Sequence, residues 1–231
     1  MKDLGILKYF LGLLGAKPVS FPMEQNLHLA GSTSALLQDV ERYLRLVGRL
    51  LCLSFTRPDV SFAVLVLSQF MHEPRQDHWS VALRVVKYLK GCPGQGILLK
   101  ADCDLHLTGW CDYDWAGCPF TRRSMAAVTC ELKWLKGLLR CQGVSHDRPM
   151  SLLSDSQSAI YLAQNPIFYE RTKYIEVDCH FLCDAILDGT ICTSHVSTSE
   201  QLANIFTKAL GKRQFEFLLR KLGIHDLHAP T

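Results

Sequence analysis

Apolar residues recur at intervals of three and four positions in the first part of the chain, which is the spacing of one buried helix face. They are Leu36, Leu37, Val40, Tyr43, Leu44, Val47, Leu50 and Leu51. Pro58 predicts the end of this helix, because proline disfavours helical geometry at the residue before it. Two further helices are predicted over 60–71 and 78–90, the second ending at Gly91.

Beyond position 96 the pattern changes to alternation. The segments 97–100 and 105–110 alternate around four residues, 101–104, that include two aspartates, and this predicts a β-hairpin. Helices are expected over 125–139, from Asp155 to 164 and up to 187, with strands before Asp155 and over 190–196. A final helix is expected to follow, capped by Thr198 or Ser199. Helices interspersed with strands in this way indicate an α/β fold.

Composition narrows the class of protein. The 231 residues are 48% hydrophobic and 20% charged, which is typical of a soluble globular protein. The net charge of +3 does not by itself indicate a nucleic-acid partner. No apolar run approaches a membrane span, and the first residues lack the layout of a signal peptide. We therefore expect an intracellular protein, cytoplasmic or nuclear, with no membrane partner and no small-molecule substrate.

The ten cysteines are scattered, so most are expected to be small buried apolar residues. One cluster has enough nitrogen and sulfur ligands for zinc: Cys179, His180, Cys183, Cys192 and His195. Its spacing is not that of a zinc finger or ribbon. Free core thiols are the favoured interpretation, with a metal site as the alternative.

Three strings carry candidate chemistry: the first spans 107–117 and contains Asp112, the second spans 152–160 and contains Asp155, and the third spans 200–210 and contains Asn204. Taken alone, Asp155 ahead of Ser156 would be a helix N-cap, and Asp112 would be a turn residue. In this order and spacing, the strings resemble the ribonuclease H domain of copia-type LTR-retrotransposon Pol polyproteins.

The resemblance implies a site in which four carboxylates hold two Mg²⁺ ions. Asp112 and Asp155 match two of them, and Asn204 stands where the family has its fourth aspartate. The segment with the family's glutamate is missing, because 121–124 runs straight into residues matching the later part of its helix. Glu131 lies about ten residues farther along, on the order of 15 Å away, and is not expected to replace it. Two carboxylates are expected to hold at most one ion, weakly.

The helical part carries further resemblance. The strings 43–48, 56–59 and 88–91 are similar to the thumb and connection region before ribonuclease H in copia Pol, and 1–13 to the end of the reverse transcriptase palm. We therefore predict a palm remnant and junction over 1–34, a helical connection over 35–96, a truncated ribonuclease H-like mixed sheet flanked by helices over 97–212, and a C-terminal helix and tail over 213–231. Internal deletions separate these pieces from the family pattern.

Basic residues are predicted on two helices: Arg84 and Lys87 on one, Lys133 and Lys136 on the other. Such residues could contact the phosphates of an RNA–DNA hybrid, or they could be the solvated faces of core-packing helices. The expected function is a relic Pol fragment that has lost both activities. A weak nucleic-acid-binding module and a residual Mg²⁺-dependent ribonuclease H are the alternatives.

Overall fold

The structure is a computed structural model that describes residues 15–98, 102, 105–112, 119–164 and 176–226. In chain order the elements are α1 (Val40–Ser54), a 3-10 turn (Pro58–Val60), α2 (Ser61–Ser68), α3 (Gln76–Gly91), β1 (Gln95–Ile97), β2 (Thr108–Cys111), α4 (Pro119–Cys141), β3 (Met150–Ser154), α5 (Gln157–Gln164), α6 (Glu176–Leu187), β4 (Ile191–His195), α7 (Asn204–Thr207), α8 (Lys212–Lys221) and β5 (Ile224–Asp226). None of the helices in these residues combines the length and apolar character needed to cross a membrane.

The chain divides into two compact units. The helical unit comprises Met1–Leu99 and Asn204–Thr231, and the sheet unit comprises Lys100–Ala203. The predicted division of the chain by ancestry is a different one and stays a prediction. Its ranges are 1–34, 35–96, 97–212 and 213–231. The palm-like string at 1–13 lies outside the described residues.

The three helices predicted before position 92 are confirmed as α1, α2 and α3. The Asp39 side chain caps α1 by accepting the Arg42 N–H at 2.9 Å. The buried face of α1 consists of Tyr43, Leu46, Val47 and Leu50. The prediction was right for Tyr43, Val47 and Leu50, but it missed Leu46 and wrongly included Leu36 and Val40, which are exposed. The Tyr43 hydroxyl donates to the carbonyl of Leu67 at 2.8 Å, so the polar end of this buried ring is satisfied by α2.

The predicted hairpin is wrong. Strand β1 pairs antiparallel with β5, Ile97 opposite Ile224, and both strands belong to the helical unit. The second segment of the expected hairpin, 105–110, overlaps β2, and β2 pairs with β3 instead. An alternating sequence indicates that a segment is a strand but does not select its partner. The partner of β1 is β5, which lies more than a hundred residues downstream.

The sheet unit confirms the predicted α/β class, a sheet flanked by helices. Its described strands are parallel, in the order β2-β3-β4. Helices α4, α5 and α6 pack on the strands and on one another. The core consists of Cys111, Met125, Leu132, Met150, Leu152, Ala159, Ala163, Leu182, Ala185 and Ile191. Parallel strands require crossover helices, which α4 and α6 provide.

One glycine sets the contact between α4 and β2. A Cβ at Gly109 would lie 2.5 Å from Val128 Cγ1 and 3.0 Å from Leu132 Cδ1. The helix therefore packs directly on the strand backbone at this point. This close approach places α4 against the strand that leads to Asp112.

The expected final helix at Thr198 or Ser199 is also wrong. Residues 198–200 form a turn in which the Glu200 N–H donates to the Ser197 carbonyl at 2.8 Å. Helix begins only at Asn204, in the short α7. Serine and threonine stabilise turns as well as helix starts, so the capping signal alone could not separate the two.

Candidate functional site

The two candidate aspartates lie at the same edge of the sheet. Asp112 directly follows β2 and Asp155 directly follows β3. The last paired residues of these strands are Cys111 and Ser154, so the two aspartates come next on adjacent strands. In parallel sheets the carboxyl ends of the strands form the usual ligand-binding edge. We call Asp112 and Asp155 the carboxylate pair.

The side chain of Asp155 does not cap the helix that follows it. The hydroxyl of Ser156 takes this role and accepts the N–H of Ala159 at 3.3 Å. The Oδ1 atom of Asp155 is buried and has no hydrogen-bond partner. The capping interpretation of Asp155 is therefore wrong, and a buried carboxylate oxygen is left open at the strand end.

The negative charge at this edge of the sheet affects the pKa of the Cys111 thiol. Its pKa is raised to about 12, first by burial and then by the negative charges of Asp112 and Asp155. Both carboxylates therefore lie close enough to act on the same sulfur atom. The pair concentrates negative charge at a partly buried position, which is the condition under which a cation is favoured.

Asn204 is the first residue of α7 and is 3% exposed. Its carbonyl accepts the N–H of Lys208 at 3.0 Å. It belongs to the helical unit, whereas the carboxylate pair belongs to the sheet unit. Its correspondence to the family's fourth aspartate therefore continues to rest on the resemblance. Glu131, the other residue considered as a substitute ligand, is exposed on α4.

The cysteine–histidine cluster is spread out in the part that can be described. Cys183 is buried and its thiol donates to the Ala163 carbonyl at 2.9 Å, whereas His180, Cys192 and His195 are exposed. The side chain of Cys179 lies outside the described residues. Across the described residues, no three His, Cys, Asp or Glu side chains are grouped so as to hold a metal ion.

The basic residue predicted on α3 already makes intramolecular contacts. Arg84 forms an ion pair with Glu24 at 2.8 Å, and its guanidinium lies 4.7 Å from the ring centre of Phe21. Lys87, on the same helix, is half-buried. The contacts of Arg84 compete with binding to a phosphate.

The basic residues predicted on α4 have partners as well. The Nζ atom of Lys133 lies 4.5 Å from the ring centre of Phe181. Lys136 is half-buried. The pKa of Asp188 is lowered, first by hydrogen bonds from Thr190 and to a smaller extent by the charges of Lys133 and Lys136. These lysines therefore interact electrostatically with Asp188, an acidic residue of the same unit.

The sequence strings also contained a residue whose role was overlooked. Gln201 is completely buried, and its Nε2 donates to the carbonyl of Cys111 at 3.0 Å. It stands three positions before Asn204, in the same family-like string. Its place in that string, directly before the apolar residues Leu202 and Ala203, was the available signal.

A second overlooked feature is a buried ionic cluster in the helical unit, formed by Arg57, Asp59, Tyr88 and Cys92. Arg57 contacts both carboxylate oxygens of Asp59, at 2.9 and 2.7 Å, and donates to the Cys92 carbonyl at 3.0 Å. The Tyr88 hydroxyl donates to Asp59 at 2.7 Å. The signal was present, because Arg57, Asp59 and Tyr88 all fall within the strings that resemble the family.

The acid–base properties of the cluster follow from burial and pairing. Burial alone would lower the pKa of Arg57, but its hydrogen bonds and charge interaction with Asp59 raise the pKa above its usual range. The pKa of Tyr88 is raised by burial and by the charge of Asp59. Arg57 therefore stays charged beside Asp59, and Tyr88 is a neutral donor. Within the described residues, the polar groups of the cluster are hydrogen-bonded to one another, so it is not a candidate ligand site.

Comparison with known proteins identifies relatives. The chain is 35% identical over 246 residues to the retrovirus-related Pol polyprotein from transposon RE2 of Arabidopsis thaliana, covering 92% of this chain and 17% of the relative. It is 34% identical over 257 residues to the corresponding protein from transposon RE1 of the same plant, covering 94% and 18%. An uncharacterized mitochondrial protein of Arabidopsis thaliana is 35% identical over 150 residues, covering 54% of this chain and 62% of the relative. No family model and no solved structure matches.

The lengths of these matches are informative. The stretches of 246 and 257 residues are longer than the whole chain of 231, so the relatives carry residues inside the match that this chain lacks. The match covers less than a fifth of each Pol relative. The identity extends over nearly all of the chain, through both the helical unit and the sheet unit. The chain is therefore similar over nearly all of its length to one segment of the copia-type retrovirus-related Pol polyproteins, and it is internally shortened relative to that segment.

Proposed function

We propose that this chain is a relic of the reverse transcriptase and ribonuclease H region of a copia-type Pol, without hybrid-cleaving activity. The proposal includes one retained feature, a carboxylate pair that binds a single divalent cation weakly. The observation that supports it is the arrangement of Asp112 and Asp155 on adjacent strand ends, with a buried Asp155 oxygen that has no hydrogen-bond partner.

The chemistry of the pair fits Mg²⁺. This ion prefers hard oxygen ligands and is commonly held by one or two carboxylates, with water completing its octahedral shell. A bound ion would bring a positive charge to an edge where two carboxylates already raise the pKa of a neighbouring thiol. Asp112 and Asp155 would hold the ion, and its binding would relieve the desolvation of the open Asp155 oxygen.

Loss of cleavage follows from the missing ligands. Hydrolysis of an RNA strand by this kind of site needs two ions about 3.5–4 Å apart, one on the attacking and one on the leaving oxygen. Two carboxylates cannot position both ions. The amide of Asn204 is neutral, and the segment that would carry the family's glutamate is not in the chain. DNA synthesis is likewise not expected, because the chain contains no Tyr-x-Asp-Asp string.

Cleavage of a labelled RNA–DNA hybrid in Mg²⁺ and in Mn²⁺ tests the proposal. The chain and its Asn204→Asp variant should both remain at background, because catalytic groups that act as a unit cannot be restored one at a time. Activity in the unmodified chain that disappears in Asp112→Asn would contradict the proposal and would favour a residual ribonuclease H.

Binding of Mn²⁺, followed by electron paramagnetic resonance, tests the retained pair separately. Asp112→Asn and Asp155→Asn should each weaken binding at least about tenfold, since each removes one of two ligands. Asp147→Asn is the matched control, because Asp147 is an exposed acidic residue of the same unit. Equal effects of all three substitutions would show that only non-specific charge is involved.

Partners and location complete the proposal. We expect any affinity for RNA or for RNA–DNA hybrid to be weak and salt-sensitive, since Arg84 and Lys133 already have partners within the chain. An intracellular location, cytoplasmic or nuclear, agrees with the seven cysteines whose side chains are described, all of which are free thiols.

A further inference from the structure

The amide of Gln201 makes two hydrogen bonds at the carboxyl edge of the sheet. Its Nε2 donates to the Cys111 carbonyl at 3.0 Å, and its Oε1 accepts the N–H of Ala203 at 3.3 Å. The residue is 0% exposed. A glutamine so completely buried is uncommon, and here both ends of its amide are used.

The bond to Cys111 acts directly on the peptide that leads into Asp112. Cys111 is the last residue of β2, and its carbonyl shares one planar peptide unit with the N–H of Asp112. Holding that carbonyl fixes the rotation of the peptide plane. The direction in which the Asp112 side chain leaves the strand follows from that rotation.

The short length of β2 makes this bond more important. The strand has four residues and, among the described strands, it pairs with β3. Few backbone hydrogen bonds of the described sheet therefore hold its end. Gln201 provides a side-chain hydrogen bond at the end of this strand, next to the candidate ligand.

We infer that Gln201 is a positioning residue that orients Asp112 toward the cation shared with Asp155. The inference rests on the proposed carboxylate pair and adds a residue to it. Outer partners of metal ligands orient them in this way, and their loss commonly lowers metal affinity about 10- to 100-fold. Gln201 acts through the backbone of the ligand rather than through its carboxylate.

The experiment compares Mn²⁺ affinity with stability in the full chain. Gln201→Met keeps the side-chain length but removes both hydrogen bonds, and it should weaken Mn²⁺ binding about tenfold. The control is Leu182→Ala, which removes a buried core side chain of α6 and lowers the melting temperature without touching the edge. Its Mn²⁺ affinity should stay within about twofold of wild type.

A second variant covers the case in which Gln201→Met does not fold. Gln201→Asn keeps the amide but is one methylene shorter, so it cannot reach Cys111 and Ala203 together, and it should show the same loss of affinity. If a folded variant at Gln201 binds Mn²⁺ as tightly as wild type, or if neither variant folds, Gln201 is purely structural and the inference is overturned.

A measurement without metal separates this inference from the proposed function. The ¹³Cγ chemical shift of Asp112 should change more in the Gln201 variants than in Leu182→Ala. Absence of Mn²⁺ binding in the wild-type chain would remove the proposed cation, yet a selective change at Asp112 would still support positioning. Equal changes in the Gln201 and Leu182 variants would contradict it.

Discussion

The helical unit and the sheet unit differ in how their charged side chains are paired. In the helical unit, Arg57 and Asp59 face each other with side chains 4% and 0% exposed, and Tyr88 adds a further hydrogen bond. In the sheet unit, Asp112 and Asp155 stand on adjacent strand ends, where two like charges come together. One buried oxygen of Asp155 has no hydrogen-bond partner.

This difference helps to distinguish a structural charge pair from a candidate ligand site. A buried charge pair whose hydrogen bonds are all made within the fold has nothing left to offer a ligand, and removing one partner leaves a costly lone charge. Like charges brought together at a strand edge are costly for the fold and are typical of functional sites. By this criterion, the carboxylate pair fits the proposed site, whereas the buried ionic cluster does not.

The largest predicted effect concerns the buried ionic cluster. Arg57→Met leaves the Asp59 carboxylate buried without its cation and should lower the free energy of unfolding by about 3–5 kcal/mol. The double variant Arg57→Met/Asp59→Leu should lose less than the single one, because no lone charge remains. Urea denaturation of the three proteins provides the measurement. A double variant less stable than Arg57→Met would contradict this explanation, because removing the lone charge would then restore nothing.

The second prediction concerns the contact between α4 and β2. Gly109→Ala places a methyl group 2.5 Å from Val128 Cγ1 and should cost about 1–3 kcal/mol, through displacement of the helix. Gly137→Ala on α4 is the control, since no atom lies within 4 Å of its new methyl group, and it should stabilise by about 0.5–1 kcal/mol. Thermal denaturation should therefore move in opposite directions for the two variants.

The third prediction compares two neighbouring residues of the sheet unit. Ser156→Ala removes the N-cap of α5 and should cost about 1 kcal/mol. In the presence of a chelator, Asp155→Asn should change stability by no more than about 0.5 kcal/mol, because this carboxylate does not cap the helix. A larger loss in Asp155→Asn than in Ser156→Ala would show that Asp155 has a structural role after all.

The smallest effect is a difference between two thiols. The pKa of Cys111 is about 12, because burial and two carboxylates all raise it. Burial also raises the pKa of Cys92, but there Arg57 lowers it in part. Alkylation at increasing pH, followed by mass spectrometry, should therefore modify Cys92 before Cys111. Asp112→Asn should make Cys111 react at lower pH.

The raised pKa of Cys111 also implies a loss of stability at high pH. The folded state keeps the Cys111 proton, whereas the thiol of an unfolded chain ionises near its ordinary pKa of 9.0. The stability from this group is therefore complete below about pH 9 and is lost as the pH rises toward about 12. Asp112→Asn, which lowers the folded pKa, should reduce the loss. A loss of equal size in this variant would contradict the assigned cause.

Local patterns in the sequence determined the elements and the family. The helix of 40–54 follows from its apolar spacing, and the strand before Asp155 from its position in a family-like string, because both depend on residues close in the chain. That Asp112 and Asp155 belong to one site was implied only by the resemblance to the ribonuclease H domain of copia-type Pol polyproteins.

The tertiary structure decided which strands pair and which groups form hydrogen bonds with each other. No local pattern shows that β1 pairs with β5, that Ser156 rather than Asp155 caps α5, or that Gln201 reaches back ninety residues to Cys111. Each of these depends on which distant segment fills the space beside a given backbone group, since a buried donor or acceptor must be satisfied by whatever the fold brings there. For the same reason Arg57 and Asp59 form a buried pair. The Oδ1 atom of Asp155 is an exception, because it is buried and has no hydrogen-bond partner.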